Sequence, residues 1–82
     1  MNLYLISQNI NEGYDTYDSA VVCANSKKEA RMIHPAEYED DWNGKSREWD
    51  SWCNAENVQV IKIGVAFKKI KKGVVCASFN AG

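Results

Sequence analysis

Apolar residues fall along the chain in short bursts separated by polar, turn-forming stretches. Residues 2–8 (NLYLISQ) gather Leu3, Tyr4, Leu5 and Ile6 into one run, which predicts a strand well covered by its neighbours. Residues 9–13 (NINEG) are turn chemistry, because Asn tolerates and Gly freely adopts left-handed backbone. Residues 20–24 (AVVCA) predict a second, β-branched strand, and a turn between two such runs predicts an antiparallel hairpin. Ser26 with Glu29 three residues later fits a helix start, continuing through Ile33 until the His34-Pro35 step ends it. Ala30, Ile33 and His34 would share the face that packs on a sheet. Residues 57–64 (NVQVIKIG) predict a third strand with imperfect alternation: Val58 and Val60 share one face, Ile61 and Ile63 the other. A bulge or burial of both faces would explain it. Residues 74–79 (VVCASF) predict a fourth strand.

The order is β-β-α-β-β in one domain spanning 1–82. The expected fold is α+β: a four-stranded, mainly antiparallel sheet, one short helix packed on it, and a long aromatic insertion. Val21, Val22, Ile33, Val60 and Val75 are the expected core. The insertion is the stretch 34–52 (HPAEYEDDWNGKSREWDSW), which holds all three tryptophans. Trp49 and Trp52 are three apart, so a short helix over 45–53 would put both on one face, and at least two of Trp42, Trp49 and Trp52 are expected to complete the core.

Composition adds limits. A chain of 82 residues is near the lower bound for a self-supporting core. The net charge of −1 argues against a dedicated nucleic-acid binder, but it hides a split. Residues 1–56 carry five Lys/Arg and eleven Asp/Glu, a balance of −6, whereas residues 57–82 carry five Lys and no acid, a balance of +5. Cys23, Cys53 and Cys76 form no close pair and are odd in number, so neither a disulfide framework nor a structural zinc site is expected. Cys23 and Cys76 are expected to be small buried hydrophobes. The N-terminus lacks a basic n-region, and no apolar run approaches the roughly 20 residues of a spanning helix. A reducing, cytoplasmic setting in a host cell and no membrane partner are therefore expected.

Candidate chemistry is sparse. His34 is the sole histidine, so a nucleophilic mechanism would need it, for instance as a dyad with Cys53. The alternative is that His34 ends a helix, where its charged form suits the dipole. No calcium loop and no Gly-rich phosphate cradle is present. An enzyme is not expected, and catalytic residues, metal and cofactor are all expected to be none. Lys62, Lys68, Lys69, Lys71 and Lys72 with Phe67 form a small basic patch, which either contacts nucleic acid or guards a sheet edge.

The acidic, aromatic segment Glu37, Tyr38, Glu39, Asp40, Asp41 and Trp42 is the candidate partner-binding surface. Trp and Tyr are enriched in binding hot spots, and acids steer a loop toward a basic target. NLYLISQ, GYDTYDSAVV, the helix ending in IHP, and GVVCASFNAG resemble a group of small bacteriophage and prophage proteins. That resemblance spans most of 1–35 and 73–82 and implies an accessory protein, of a kind that includes host-defence inhibitors such as anti-CRISPR proteins. Taken together, the expected function is non-enzymatic: binding a host protein with a basic surface, as a monomer or homodimer, with nucleic acid not expected. The alternatives are a small nucleic-acid-associated protein using Lys68, Lys69, Lys71 and Lys72, or a structural dimerisation module.

Overall fold

A computed structural model describes residues 1–37, 42–46 and 50–81. Strand β1 (Asn2–Ser7) and strand β2 (Thr16–Ala24) form the expected antiparallel hairpin, in register from Asn2↔Ala24 to Ser7↔Ser19. The second strand is longer than the pattern suggested, because Thr16 and Tyr17 already pair with the last strand. Gln8 closes the hairpin end. Its Nε2 donates to the carbonyls of Asn11 and Tyr17, and its Oε1 accepts the N–H groups of Ile10 and Asn11. A buried amide with every group satisfied holds a turn without a desolvation penalty.

Strand β3 (Gln59–Val65) pairs antiparallel with β1, and strand β4 (Gly73–Asn80) pairs antiparallel with β2. The sheet order is β3-β1-β2-β4, so the two C-terminal strands are the edges. The irregular alternation of the third strand has the expected cause: pairing skips Ile63 between Leu3 and Tyr4, which is a bulge. Similar skips occur at Asp18 and Val75.

Helix α1 (Lys27–Arg31) starts as predicted. Ser26 Oγ accepts the Glu29 N–H, while Glu29 Oε1 accepts the Asn25 N–H. It stops at Arg31 rather than Ile33 because Met32 already leaves helical geometry as the C-cap. So short a helix depends on tertiary contacts. Arg31 supplies one, its Nη1 donating to the carbonyls of Ala55 and Val58.

One face of the sheet carries the core. Tyr4, Ile6, Ala20, Val22 and Ala24 pack with Ala30, Trp52, Cys53 and Val58. Val60, Val74, Ile33 and Trp42 are partly buried against them. Four expectations change here. Val75 is 48% exposed, since its bulge takes it out of the regular pattern, and Val21 is only half-buried. Cys76 is exposed, whereas Cys23 and Cys53 are buried. The first strand is covered on one side only: Leu3 and Leu5 stay half-buried. The helix expected over 45–53 is absent at every described residue of that range, and the helical turn in this region is a 3-10 turn further on, Ala55–Asn57. Asn43 and Asn54 flank that stretch, and their side-chain oxygens capture the N–H groups of Lys45 and Ser46. Asn54 Oδ1, for example, accepts both the N–H and the hydroxyl of Ser46.

Candidate functional site

His34 is the hub of the segment that lies over the sheet. It leaves α1 through Met32 and Ile33, and Pro35 turns the chain directly after it. Its ring is 2% exposed. Nδ1 accepts the N–H of Ala36 at 3.0 Å, and Nε2 lies 2.6 Å from Asp50 Oδ1. The same Asp50 oxygen accepts the N–H of Trp52. Trp42 meets the imidazole edge-on at a centroid distance of 4.9 Å, and Trp52 lies tilted at 6.5 Å. Such edge-to-face packing places the positive ring edge of one partner on the negative face of the other.

Asn11 completes the attachment from the hairpin side. Its Nδ2 donates to the carbonyls of Asp50 and Trp52, both at 2.9 Å. Trp52, 1% exposed, thereby plugs the core under a segment tied at both ends. The indole N–H groups of Trp42 and Trp52 are buried and find no acceptor among the described residues.

This arrangement ties His34 into the packing beneath the segment. Both ring nitrogens are engaged in buried hydrogen bonds, one accepting and one donating. Cys53 is buried near this hub. Burial, with Asp50 adding, pushes its thiol up to about 11, so it stays protonated and inert at neutral pH.

The candidate binding segment starts and ends on this hub. The N–H of Glu37 donates to the His34 carbonyl at 2.8 Å, and the Trp42 ring packs on the His34 ring. Glu37 holds a left-handed backbone, φ 62°, which costs a non-glycine residue on the order of 1 kcal/mol. Tyr38, Glu39, Asp40, Asp41 and Trp49 lie outside the described residues. Glu37 and Trp42 border an open cavity of about 380 Å³, together with Glu29, Met32, Ile33, His34, Lys72, Gly73 and Val74. The lining mixes apolar Met32, Ile33, Trp42 and Val74 with charged Glu29, Glu37 and Lys72. Lys72 Nζ reaches Glu29 Oε1 at 3.5 Å across this rim. The Asn25 N–H, then the Lys72 ammonium, hold the Glu29 carboxyl below its ordinary value.

The second candidate surface lies elsewhere. Lys68, Lys69 and Lys71 are exposed on the connection from β3 to β4, and Phe67 beside them is 83% exposed. This connection passes from one edge of the sheet to the other, with the Cys23 thiol beneath the Ile70 carbonyl. Lys62 stands apart on β3. Among the described residues, no cluster of His, Cys, Asp and Glu is arranged to hold a metal ion, and no helix is long and apolar enough to cross a membrane.

The sequence pointed to His34 but not to Asp50 or Asn11 as its supports. Asp50 lies between Trp49 and Trp52 and Asn11 in the turn at 9–13, so nothing in their spacing tied either one to His34. Comparison of the chain with protein-family models, with curated proteins and with solved structures gives no match.

Proposed function

We propose that this chain is a non-enzymatic binding protein, a phage or prophage accessory factor of the host-defence-inhibitor kind, that engages a basic surface of a host protein through residues 37–42. The observation that carries this reading is the footing of the segment. Glu37 and Trp42 both rest on the buried His34, which Asp50 in turn fixes. Four carboxylates, Glu37, Glu39, Asp40 and Asp41, therefore lie in a short span whose two ends are held on a rigid hub. Loops carried on a scaffold in this way commonly do the binding. The adjoining cavity is lined by apolar Met32, Ile33, Trp42 and Val74, by the Glu29 and Glu37 carboxylates, and by Lys72, which pairs with Glu29 and leaves Glu37 as the acid open to a guest cation. A lysine or arginine side chain has the matching chemistry, an aliphatic stem with a cationic head.

The test replaces Glu39→Gln, Asp40→Asn and Asp41→Asn together and compares capture of a host protein from lysate with that of the unaltered chain. Association steered by charge weakens as salt shortens the Debye length below about 8 Å. The unaltered chain should retain its partner at low salt and lose it at raised salt, and the variant should retain little at either. Equal retention by a normally folded variant under both conditions would defeat the proposal. The connection carrying Lys68, Lys69, Lys71 and Lys72 would then be tested against single-stranded oligonucleotides.

A further inference from the structure

On the side of the sheet opposite His34 and the core, the strand registers align three lateral rows. The first is Gln59, Ser7, Ser19 and Ser78; the second is Ile61, Leu5, Val21 and Cys76; the third is Gly64, Leu3, Cys23 and Gly73. None of these twelve positions is charged, in a chain whose residues are 26% charged; the charge at the margin is Asp18, whose carboxylate accepts from the Ser19 hydroxyl of the first row at 3.3 Å. Lys62, the charged residue of β3, pairs with Tyr4 and so belongs to the other face. The third row is partly roofed, with Cys23 covered by Met1 and the Ile70 carbonyl. The second row is open: Ile61 is 53% exposed, Cys76 is exposed, and Leu5 and Val21 are half-buried. Among the described residues nothing packs over it as Trp52 and α1 pack over the opposite face.

We propose that this open face docks a second copy of the same chain, sheet against sheet. The charge pattern selects that occupant. A basic or acidic partner finds no opposite charge along the open second row, whereas an identical row brings apolar against apolar. A two-fold axis through such a face is isologous, so one uncharged row satisfies both copies. The open extent suits a weak dimer. Its two unroofed rows, across four strands about 4.8 Å apart, present roughly 250 Å² per copy in flat projection. The pair therefore stays below the roughly 1,200 Å² of stable specific interfaces, in the range of weak association. Packed sheets stand about 10 Å apart, which Ile61, Leu5 and Val21 from both copies can fill. Glu37 and Trp42, the two described ends of the acidic segment, rest on His34 on the far side of each sheet, so binding by that segment and this pairing fail or succeed separately.

The experiment is sedimentation equilibrium of the full chain from about 10 μM to about 1 mM, a range that brackets a weak dimer. Ile61→Glu and Cys76→Glu are measured beside the unaltered chain, and melting is followed at the lowest concentration. The unaltered chain should pass from monomer to dimer as concentration rises. Each variant should melt normally when dilute and weaken the dimer by ~10-fold or more, since a carboxylate then has to be buried without a partner. If a carboxylate disturbs folding, Ile61→Ser reads the same contact without a charge. A chain that remains monomeric at about 1 mM overturns the proposal, even if another protein is found to bind the face. A dimer unchanged by these substitutions overturns it too, and moves the contact to the free edge of β4.

Discussion

Asp50 Oδ1 lies 2.6 Å from His34 Nε2 and also accepts the N–H of Trp52. One carboxylate oxygen thus serves a contact sixteen residues back in the chain and a turn beside it. Asp50→Ala leaves both donors without an acceptor and should cost roughly 2–4 kcal/mol of stability. Asp50→Asn keeps an oxygen for both, so it should lose less than half as much. Urea midpoints of the two variants make the comparison. Equal losses would show that the negative charge, and not the acceptor geometry, is what the site requires.

The three cysteines should separate cleanly in alkylation. Cys76 is exposed, while Cys23 and Cys53 are buried. The Cys53 thiol, raised from 9.0 to about 11 by burial and secondarily by Asp50, favours its neutral form in the folded chain. That preference supports folding below pH 9 and is lost as pH rises through about 11. Near neutral pH, iodoacetamide should modify Cys76 quickly and reach Cys53 and Cys23 only when the chain opens. Mass spectrometry showing Cys53 modified as fast as Cys76 would contradict the buried placement.

Gly44 is held by its surroundings from two directions. Its φ of +86° is left-handed, and an added Cβ would meet Met32 Cε at 3.0 Å and Ala55 Cβ at 3.3 Å. Its carbonyl also accepts the Ala55 N–H at 2.8 Å, so the backbone cannot simply swing away. Gly44→Ala should destabilise by about 1–2 kcal/mol. A shift of the thermal midpoint upward would mean that this close approach is not maintained in solution.

Glu29 should contribute to acid sensitivity. Its carboxyl is held below 4.5 by the Asn25 N–H first and by Lys72 after it. A carboxyl depressed on folding adds stability above its ordinary value and loses it as pH falls through the lower, folded value. The chain should therefore lose stability below pH 4.5, and Glu29→Gln should flatten that part of the profile. An unchanged slope in the variant would assign the acid sensitivity to other carboxylates.

Much of the fold was legible because it rests on local chemistry. The bursts at Leu3–Ile6 and Val21–Cys23 lie in strands, and Ser26 with Glu29 marks the helix start because both contacts close within a few residues. What escaped depends on bulges. The skips at Asp18, Ile63 and Val75 each exchange the faces of the residues beyond them, so Val75 and Cys76 read as core yet lie exposed. The hub escaped for a different reason. That His34 would meet Asp50 depends on the path of the insertion, which residue spacing does not encode. The helix expected at 45–53 came from the three-residue spacing of Trp49 and Trp52, a pattern that a loop pinned by Asn11 and Asn54 satisfies equally well for Trp52.

The strand order also sets a sequence of assembly. β1 and β2 are contiguous and form the middle of the sheet, while both edges come from the last third of the chain. The central pair closes across a short turn. Joining β3 needs Gln59 to find Ser7 across 52 residues, and joining β4 needs Asn80 to find Thr16 across 64. Distant closures are slow relative to local ones. The hairpin therefore acts as a template with two free sides, and each late strand docks on its own side without waiting for the other. A fault in one edge leaves the landing place of the other intact, so damage to β3 or to β4 should yield a partly built sheet with a persistent centre, and not a chain that has lost all structure.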